Sequence, residues 1–153
     1  MKKLMIFLLC VLVLATAGMT GVTVFAENED SATAGETECS SGAYVFLVRE
    51  GGAIITVADD TLNGEVTLPD KLNGYPVTGI MFSAFHGCNR ITKLVLPSTV
   101  TSIGARAFEN CTALKEIVLP SDLKTIKDYA FMGCNSLESI AVPEGVTDRK
   151  SVV

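Results

Sequence analysis

The sequence is poor in the residues that most often carry chemistry at neutral pH. It has no tryptophan and one histidine, His86, among 153 residues. A Cys-His catalytic pair therefore has only that imidazole to use as its base. No phosphate-binding loop, nucleophile elbow or calcium loop is present. Acidic residues outnumber basic ones and give a formal charge of −5, which argues against nucleic acid as a partner. We expect no enzyme and no cofactor.

Charged residues are scarce overall. They make up 19% of the chain, whereas apolar residues make up 48%, which is typical of a folded protein and not of a disordered one. The length suits one domain. Two N-terminal segments stand apart from that domain, because one is almost uncharged and the other is almost wholly polar.

Residues 1–26 have the layout of a secretory signal peptide. Two lysines precede an apolar run, and Val24 and Ala26 provide small residues at the −3 and −1 positions of a cleavage site. We predict cleavage after Ala26, and hence a secreted or cell-surface protein. The alternative is an uncleaved membrane anchor, since residues 5–26 carry no charge and are long enough to span a bilayer.

Residues 27–42 are predicted to be an acidic linker. They read ENEDSATAGETECSSG, with five acids and no lysine or arginine, which is too polar to bury a core. Cys39 lies in this segment with no evident partner in the sequence. It is therefore either an exposed thiol or an intermolecular link.

From residue 78 the chain repeats with a period of 23 residues, in units 78–100, 101–123 and 124–146. Such self-similarity predicts a solenoid, in which equivalent residues stack in columns. The repeated columns are Ile80/Ile103/Ile126, Phe85/Phe108/Phe131, Cys88/Cys111/Cys134, Ile91/Leu114/Leu137, Leu94/Ile117/Ile140, Leu96/Leu119/Val142 and Pro97/Pro120/Pro143.

One unit has too few apolar residues to close a core alone, so each must be buried by its neighbours. The residues before each proline alternate in polarity, which predicts short strands stacked in one parallel sheet about 4.8 Å apart. Proline ends the ladder because it lacks an N–H donor. The Ala-Phe segment is predicted to be a short helical turn whose phenylalanine fills the coil. The fold class is therefore a mainly β solenoid.

The N-terminal end of such a stack needs a cap. Residues 43–77 are predicted to supply it: strands at 44–48 and 53–57 form a β-hairpin, and 65–69 is a degenerate repeat strand. Residues 147–153 are a short tail and a poor lid for the last coil. Either the chain is a truncated member of a longer array, or that end pairs with another molecule.

These units resemble the BspA-like, or treponemal-type, leucine-rich-repeat family. The family repeat is approximately I-G-x-x-A-F-x-x-C-x-x-L-x-x-I-x-L-P-x-x-V, and IGARAFENCTALKEIVLPSDL matches it from Ile103 to Leu123. The resemblance covers residues 78–146, with an entry segment at 64–77. In the first unit Met81 replaces the usual glycine, so that coil is expected to be distorted where it meets the cap. The resemblance implies a leucine-rich-repeat solenoid without catalysis, on the cell surface or secreted. Several relatives are adhesins that bind host matrix proteins or cells.

Other potential reactive residues have structural interpretations. Stacked Cys88, Cys111 and Cys134 point the same way, so we expect buried, reduced thiols with no disulfide among them, and three collinear thiols cannot surround a metal tetrahedrally. His86 is replaced by Glu109 and Met132 in the later units, which predicts a solvated surface position. The paired acids at 59–60 are predicted to form a turn.

The outward face of the strand ladder is the candidate binding site. Alternation turns Val95, Val118 and Ala141 outward, with Lys93 and Glu116 beside them. An apolar stripe edged by charge resembles a protein-docking surface, although β-branched residues suit strands in any case. We predict a module that binds a protein or cell-surface ligand, with a host matrix-like protein suggested by the resemblance. The alternative is a structural spacer, or a piece of a longer array, that associates with itself at its C-terminal end.

Overall fold

The computed structural model describes residues 37–149, which coil into a mainly β solenoid of about three turns. Isoleucine, valine and threonine recur in its strands, since β-branched side chains pack well on a pleated surface. In chain order the strands of this part are β1 (Thr37–Ser41), β2 (Tyr44–Arg49), β3 (Gly52–Ala58), β4 (Gly64–Thr67), β5 (Lys71–Leu72), β6 (Tyr75–Ile80), β7 (Ile91–Val95), β8 (Ser102–Ile103), β9 (Glu116–Val118), β10 (Thr125–Ile126) and β11 (Asp148–Arg149).

The N-terminal cap is an antiparallel meander of β1, β2 and β3. The predicted β2–β3 hairpin is confirmed, and Glu50 and Gly51 make its turn with φ of 51° and 78°. The prediction that a linker extends to residue 42 is wrong, because β1 pairs with β2 along its whole length. Cys39 is only 6% exposed, so it is not an exposed thiol. The alternation of β1 turns it inward between two exposed neighbours.

The coils stack through two sheets and not through the single parallel sheet that was predicted. The smaller sheet is wholly parallel, in the order β4-β7-β9, and it contains the strands that precede Pro69, Pro97 and Pro120, whereas the strand predicted before Pro143 does not form. The larger sheet joins the cap to the solenoid, where β3 pairs with β6, followed by β8, β10 and β11. Each coil therefore contacts its neighbours along two strand segments, which fixes its orientation in the stack.

The Ala-Phe segments form a third ladder between coils. The Phe85 N–H donates to the Ala107 carbonyl at 2.8 Å, and the Phe108 N–H donates to the Ala130 carbonyl at 2.8 Å. Instead of the predicted short helical turn, each segment is a series of i to i+3 turns, and no helix occurs in residues 37–149. Left-handed residues recur twice per coil and interrupt any helix. The first set is Ser83, Arg106 and Tyr129, with φ of 54°, 54° and 57°, and the second is Gly87, Asn110 and Gly133, with φ of 73°, 60° and 75°.

The phenylalanine column lies at the centre of the coils, as predicted. The ring centroids of Phe85 and Phe108 are 5.2 Å apart, as are those of Phe108 and Phe131. All three side chains are buried. Tyr44 of the cap continues the column, with its ring centroid 6.5 Å from that of Phe85. The core is therefore a stack of rings one coil apart, closed at the N-terminal end by the cap.

The distortion expected where the first coil meets the cap lies in β6, because its pairing with β3 shifts register between Ala53 and Ile54, whose partners are Val77 and Gly79. The backbone is regular at Met81 itself. The Met81 N–H donates to the Ile55 carbonyl of the cap at 2.8 Å, and the Gly104 N–H donates to the Ile80 carbonyl at 2.7 Å. The same backbone ladder thus continues from cap to solenoid. The close approach falls at the next coil, where a Cβ on Gly104 would lie 2.6 Å from the Met81 carbonyl carbon.

The third coil is less completely built than the first two. Residues 137–142 form no strand, and Leu137, Ile140 and Val142 are only half-buried. The predicted tail begins with a strand, since β11 pairs in parallel with β10, Thr125 opposite Asp148. The 23-residue register therefore continues past residue 146, because Ser102 pairs with Thr125 in the same way.

Candidate protein-binding face

The smaller sheet places four of the predicted contact residues on one outward surface: Val95, Val118, Lys93 and Glu116. We call this surface, together with the predicted Ala141 of the next coil, the strand face. Val95 lies opposite Val118, and Leu94 opposite Ile117, in the β7–β9 register. Leu94 and Ile117 are buried, whereas Val118 is 41% exposed and Val95 is half-buried. Alternation along short strands thus separates an inward aliphatic column from an outward one.

The charges of the strand face form a line beside the apolar column. Lys93 Nζ lies 3.0 Å from Glu116 Oε1, and β4 places Glu65 opposite Lys93 on the other side. The hydrogen bond to Glu116, together with its charge, raises the pKa of the Lys93 ammonium, and Glu65 adds to the effect. Lys93 therefore lies between two carboxylates. These three charged side chains run along one side of the apolar column formed by Val95 and Val118.

The strand face is formed by paired strands in the first two coils but not in the third. Ala141 is exposed as predicted, but it belongs to the segment 137–142 that forms no strand. Its backbone position is therefore not fixed by the parallel pairing that fixes Val95 and Val118. The best-defined contact area is the part formed by β4, β7 and β9.

The sequence interpretation missed a second polar cluster, on the turns. Glu109 is 8% exposed and is the one buried charged residue among residues 38–147. Its Oε2 lies 3.2 Å from His86 Nδ1 of the preceding coil, and its Oε1 lies 4.0 Å from Arg106 Nη1. His86 is half-exposed, but it contacts this carboxylate and is not simply solvated. In the sequence, the only indication of this contact is that Glu109 follows His86 by 23 residues and so occupies the equivalent position in the next coil.

The cysteine column has a structural role in the turns. The Cys111 thiol donates to the Phe85 carbonyl at 3.2 Å, and the Cys134 thiol donates to the Phe108 carbonyl at 3.1 Å. A hydrogen bond to Cys134 and burial raise the pKa of the Cys111 thiol, while the same contact lowers the pKa of Cys134 against the opposing effect of burial. No disulfide joins the three column cysteines. Each thiol therefore ties one coil to the backbone of the coil before it.

The remaining candidate residues have local roles. Asp59 Oδ1 accepts a hydrogen bond from the Thr61 N–H at 2.8 Å, which is the Asx-type turn expected for the paired acids. Within residues 37–149, no group of three or more His, Cys, Asp or Glu side chains is placed to hold a metal ion. In the same range the structure contains no helix of the length and hydrophobicity needed to cross a bilayer.

Known proteins that are similar to this chain are leucine-rich-repeat proteins, in agreement with the architecture described above. The family model for the BspA type leucine rich repeat region matches residues 65–152. The chain belongs to this leucine-rich-repeat family. Its phenylalanine and cysteine columns point inward, and its strand residues Val95 and Val118 point outward.

Solved structures of bacterial leucine-rich-repeat proteins are similar to this chain. The Treponema pallidum protein TpLRR is 34% identical, with a TM-score of 0.66, over 71% of this chain and 51% of its own. A leucine-rich cell surface protein from Faecalibacterium prausnitzii is 31% identical, with a TM-score of 0.67, over 79% of this chain and 33% of its own. A protein from Bacteroides capillosus is 33% identical, with a TM-score of 0.65, over 73% of this chain and 87% of its own.

This chain spans about half the length of the Treponema relative and about a third of the Faecalibacterium relative. Similarity over that share concerns the repeat architecture and not the remaining parts of those proteins. No curated protein matches this chain.

Proposed function

We propose that the chain is a secreted or cell-surface module that binds a protein ligand through its strand face. Leucine-rich repeats of this family generally mediate protein–protein interaction and are typically not enzymes. The observation that carries the proposal is Val118, an aliphatic side chain 41% exposed on a flat, hydrogen-bonded sheet. An exposed apolar centre on a rigid element is a favourable docking position, since little entropy is lost when it is covered.

The surroundings of Val118 support an extended protein ligand. The Lys93–Glu116 ion pair lies at the edge of the apolar column, where a polar rim is typical of protein interfaces. Several members of the family that the repeats resemble are adhesins, which suggests a host matrix-like protein as the ligand. The Faecalibacterium relative is described as a cell surface protein, which agrees with such a role for a module of this type.

Two adjacent substitutions test the strand face. Val118→Asp places a charge on the outward side and is expected to leave the fold intact while it weakens binding at least tenfold. Ile117→Asp buries an unpaired charge and is expected to unfold the coil. The measurement is surface plasmon resonance against a panel of immobilised extracellular-matrix proteins, with circular dichroism as the folding control. Equal loss of folding in both variants would show that the two faces are wrongly assigned.

The proposed location also has a direct test. We propose that the signal peptide is removed after Ala26, which would expose Glu27 as the mature N-terminus. Residues 1–26 lie outside the described part of the chain. Mass spectrometry of the protein recovered from medium and from envelope fractions identifies the N-terminal peptide. A peptide that begins before residue 27 and remains in the membrane fraction would favour the uncleaved anchor.

A second candidate function is a structural repeat that associates with itself at the third coil. It is favoured by Ile140 and Val142, which are half-buried in a segment without a strand. Covering them with a further coil would bury apolar area in the way that the first two coils do. Light scattering over a concentration series distinguishes this candidate, because Ile140→Ser should reduce association if the third coil is the contact.

A further inference from the structure

The chain contains two Asn-Gly dipeptides, at residues 63–64 and 73–74, and both asparagines are exposed. Asparagine is chemically labile in proteins, because the backbone nitrogen of the next residue can attack its side-chain amide and form a cyclic imide. A following glycine favours this attack, since it has no Cβ to hinder it and a permissive backbone. The two dipeptides differ in how the structure holds the attacking glycine N–H.

The N–H of Gly64 is committed to the stack of coils. It donates to the Arg90 carbonyl at 2.9 Å, and Gly64 is the first residue of β4, opposite Ile91 of β7. Attack by this nitrogen on Asn63 would first require that hydrogen bond to break and the start of β4 to separate from β7. The parallel pairing of the coils therefore protects Asn63.

Asn73 and Gly74 form the tip of the β5–β6 hairpin. Leu72 pairs with Tyr75, and the two turn residues have φ of 47° and 88°, the pattern of a type I′ turn. The closing hydrogen bond of such a turn comes from the residue after the glycine, and within residues 37–149 the structure shows no acceptor for the Gly74 N–H. Since β5 has only two residues, opening of this tip breaks few hydrogen bonds. The Gly74 nitrogen is thus available where the Gly64 nitrogen is held.

We propose that Asn73 is a site of spontaneous deamidation in the folded protein. The Gly74 nitrogen loses its proton to hydroxide and bonds to Cγ of the Asn73 side chain. The Cγ–Nδ2 bond then breaks, and ammonia leaves with a proton taken from water. A water molecule next cleaves either of the two C–N bonds of the imide, which gives aspartate or isoaspartate at position 73. The net reaction consumes water and releases ammonia.

The modification acts on the cap through Ser40. Asn73 Nδ2 donates to the Ser40 carbonyl at 3.3 Å, which ties the hairpin tip to β1. β1 is the edge strand of the larger sheet and pairs on one side only, with β2. A carboxylate accepts hydrogen bonds but has no proton to donate, so both products lose this tie and place a negative oxygen near a carbonyl. Deamidation of Asn73 therefore loosens the edge of the cap.

Incubation of the folded protein, recovered after expression of the full chain, at mildly alkaline pH tests the site. Trypsin separates the two dipeptides, since residues 50–71 contain Asn63 and residues 72–90 contain Asn73, and fragmentation in the mass spectrometer assigns the modified asparagine within each peptide. We expect position 73 to convert at least tenfold faster than position 63 in the folded protein, and both to convert at similar rates in urea. Equal rates in the folded protein, or faster conversion at position 63, would overturn the proposal.

Two matched variants test the consequence for the cap. Asn73→Asp and Asn63→Asp each add a negative charge at an exposed Asn-Gly turn, but only the first removes the hydrogen bond to Ser40, because the Asn63 amide donates to the Thr61 carbonyl of its own turn. Hydrogen exchange followed by mass spectrometry should show β1 amides exchanging at least threefold faster in Asn73→Asp and unchanged in Asn63→Asp. Unchanged exchange in both variants, or equal acceleration in both, would contradict the role of Asn73 in holding β1.

Discussion

Individual side chains hold this solenoid together by contacting their equivalents one coil away. Phe108 is the clearest case, since rings lie at 5.2 Å on both of its sides, whereas Phe131 has such a neighbour only on the side of Phe108. Aromatic pairs at this distance add about 0.5–1.5 kcal/mol beyond the burial of their area. The stability contributed by one ring therefore depends on the presence of the next.

The cysteine column provides a prediction at the same scale. Cys134 is 9% exposed and Cys111 is 1% exposed, and the contact with Cys134 together with burial raises the pKa of the Cys111 thiol. Since the thiolate is the nucleophile, we expect iodoacetamide to modify Cys134 before Cys111 in the native protein. Peptide mass spectrometry over a time course measures both rates, and denatured protein is the control in which both react. Equal native rates would contradict the assigned directions.

The cysteine and phenylalanine columns could be predicted from the sequence because each recurs at a fixed offset. Glu109 could not, since its equivalents are His86 and Met132 and a position that varies in this way suggests solvent. Its carboxylate is buried beside His86 of the preceding coil and Arg106 of its own coil. A buried charge paired in this way depends on tertiary geometry that the repeat pattern does not encode.

At the scale of the elements, three hydrogen-bond ladders join each coil to the next and bring their backbones close together. Larger side chains cannot be accommodated where the two backbones approach. Gly104 lies against the Met81–Phe82 peptide of the preceding coil, and an added Cβ would meet backbone atoms at 2.6 Å. Backbone atoms cannot rotate away as a flexible side chain can. This position therefore needs glycine for close approach, independently of its φ.

We predict that Gly104→Ala lowers the free energy of unfolding by about 1–3 kcal/mol, because the coils must separate to admit the methyl group. Gly145→Ala is the matched control, since the nearest atoms to its added Cβ lie at 3.8 Å. Urea denaturation followed by circular dichroism measures both variants. If Gly104→Ala is as stable as Gly145→Ala, the coils do not approach as described.

Strand prediction succeeded where the pattern was long and failed where it was short. The hairpin and the strands before Pro69, Pro97 and Pro120 have several alternating residues and were predicted correctly, whereas the strand predicted before Pro143 does not form. β8 and β10 contain two residues each, which is too short for any alternation to appear. β1 reads TECSS, and its one inward apolar residue, Cys39, could not outweigh its polar neighbours. Pairing with β2, not its own propensity, makes it a strand.

At the scale of the whole molecule, the stacked columns form a core that extends in one dimension from the cap to the third coil. Each repeat contacts only its neighbours, so stability is expected to differ along the chain. The first two coils have buried aliphatic residues in β7 and β9, whereas Leu137, Ile140 and Val142 remain half-buried. The third coil should therefore open more readily than the second.

Hydrogen exchange followed by mass spectrometry checks this gradient. Residues 116–118 form β9, which pairs in parallel with β7, whereas residues 137–142 form no strand. We expect the peptide that covers 137–142 to exchange at least tenfold faster than the peptide that covers 114–119, under conditions where opening limits exchange. Equal protection of the two peptides would indicate a single cooperative unit and contradict the gradient.

The most direct test of the stacked core is a set of double-mutant cycles on the phenylalanine column. Each ring is replaced by leucine singly and in pairs, and the free energy of unfolding is measured in urea. Stacking predicts coupling of about 0.5–1.5 kcal/mol for Phe85 with Phe108 and for Phe108 with Phe131. It predicts nearly additive effects for Phe85 with Phe131, which lie two coils apart. Coupling of equal size in all three pairs would contradict the one-dimensional stack.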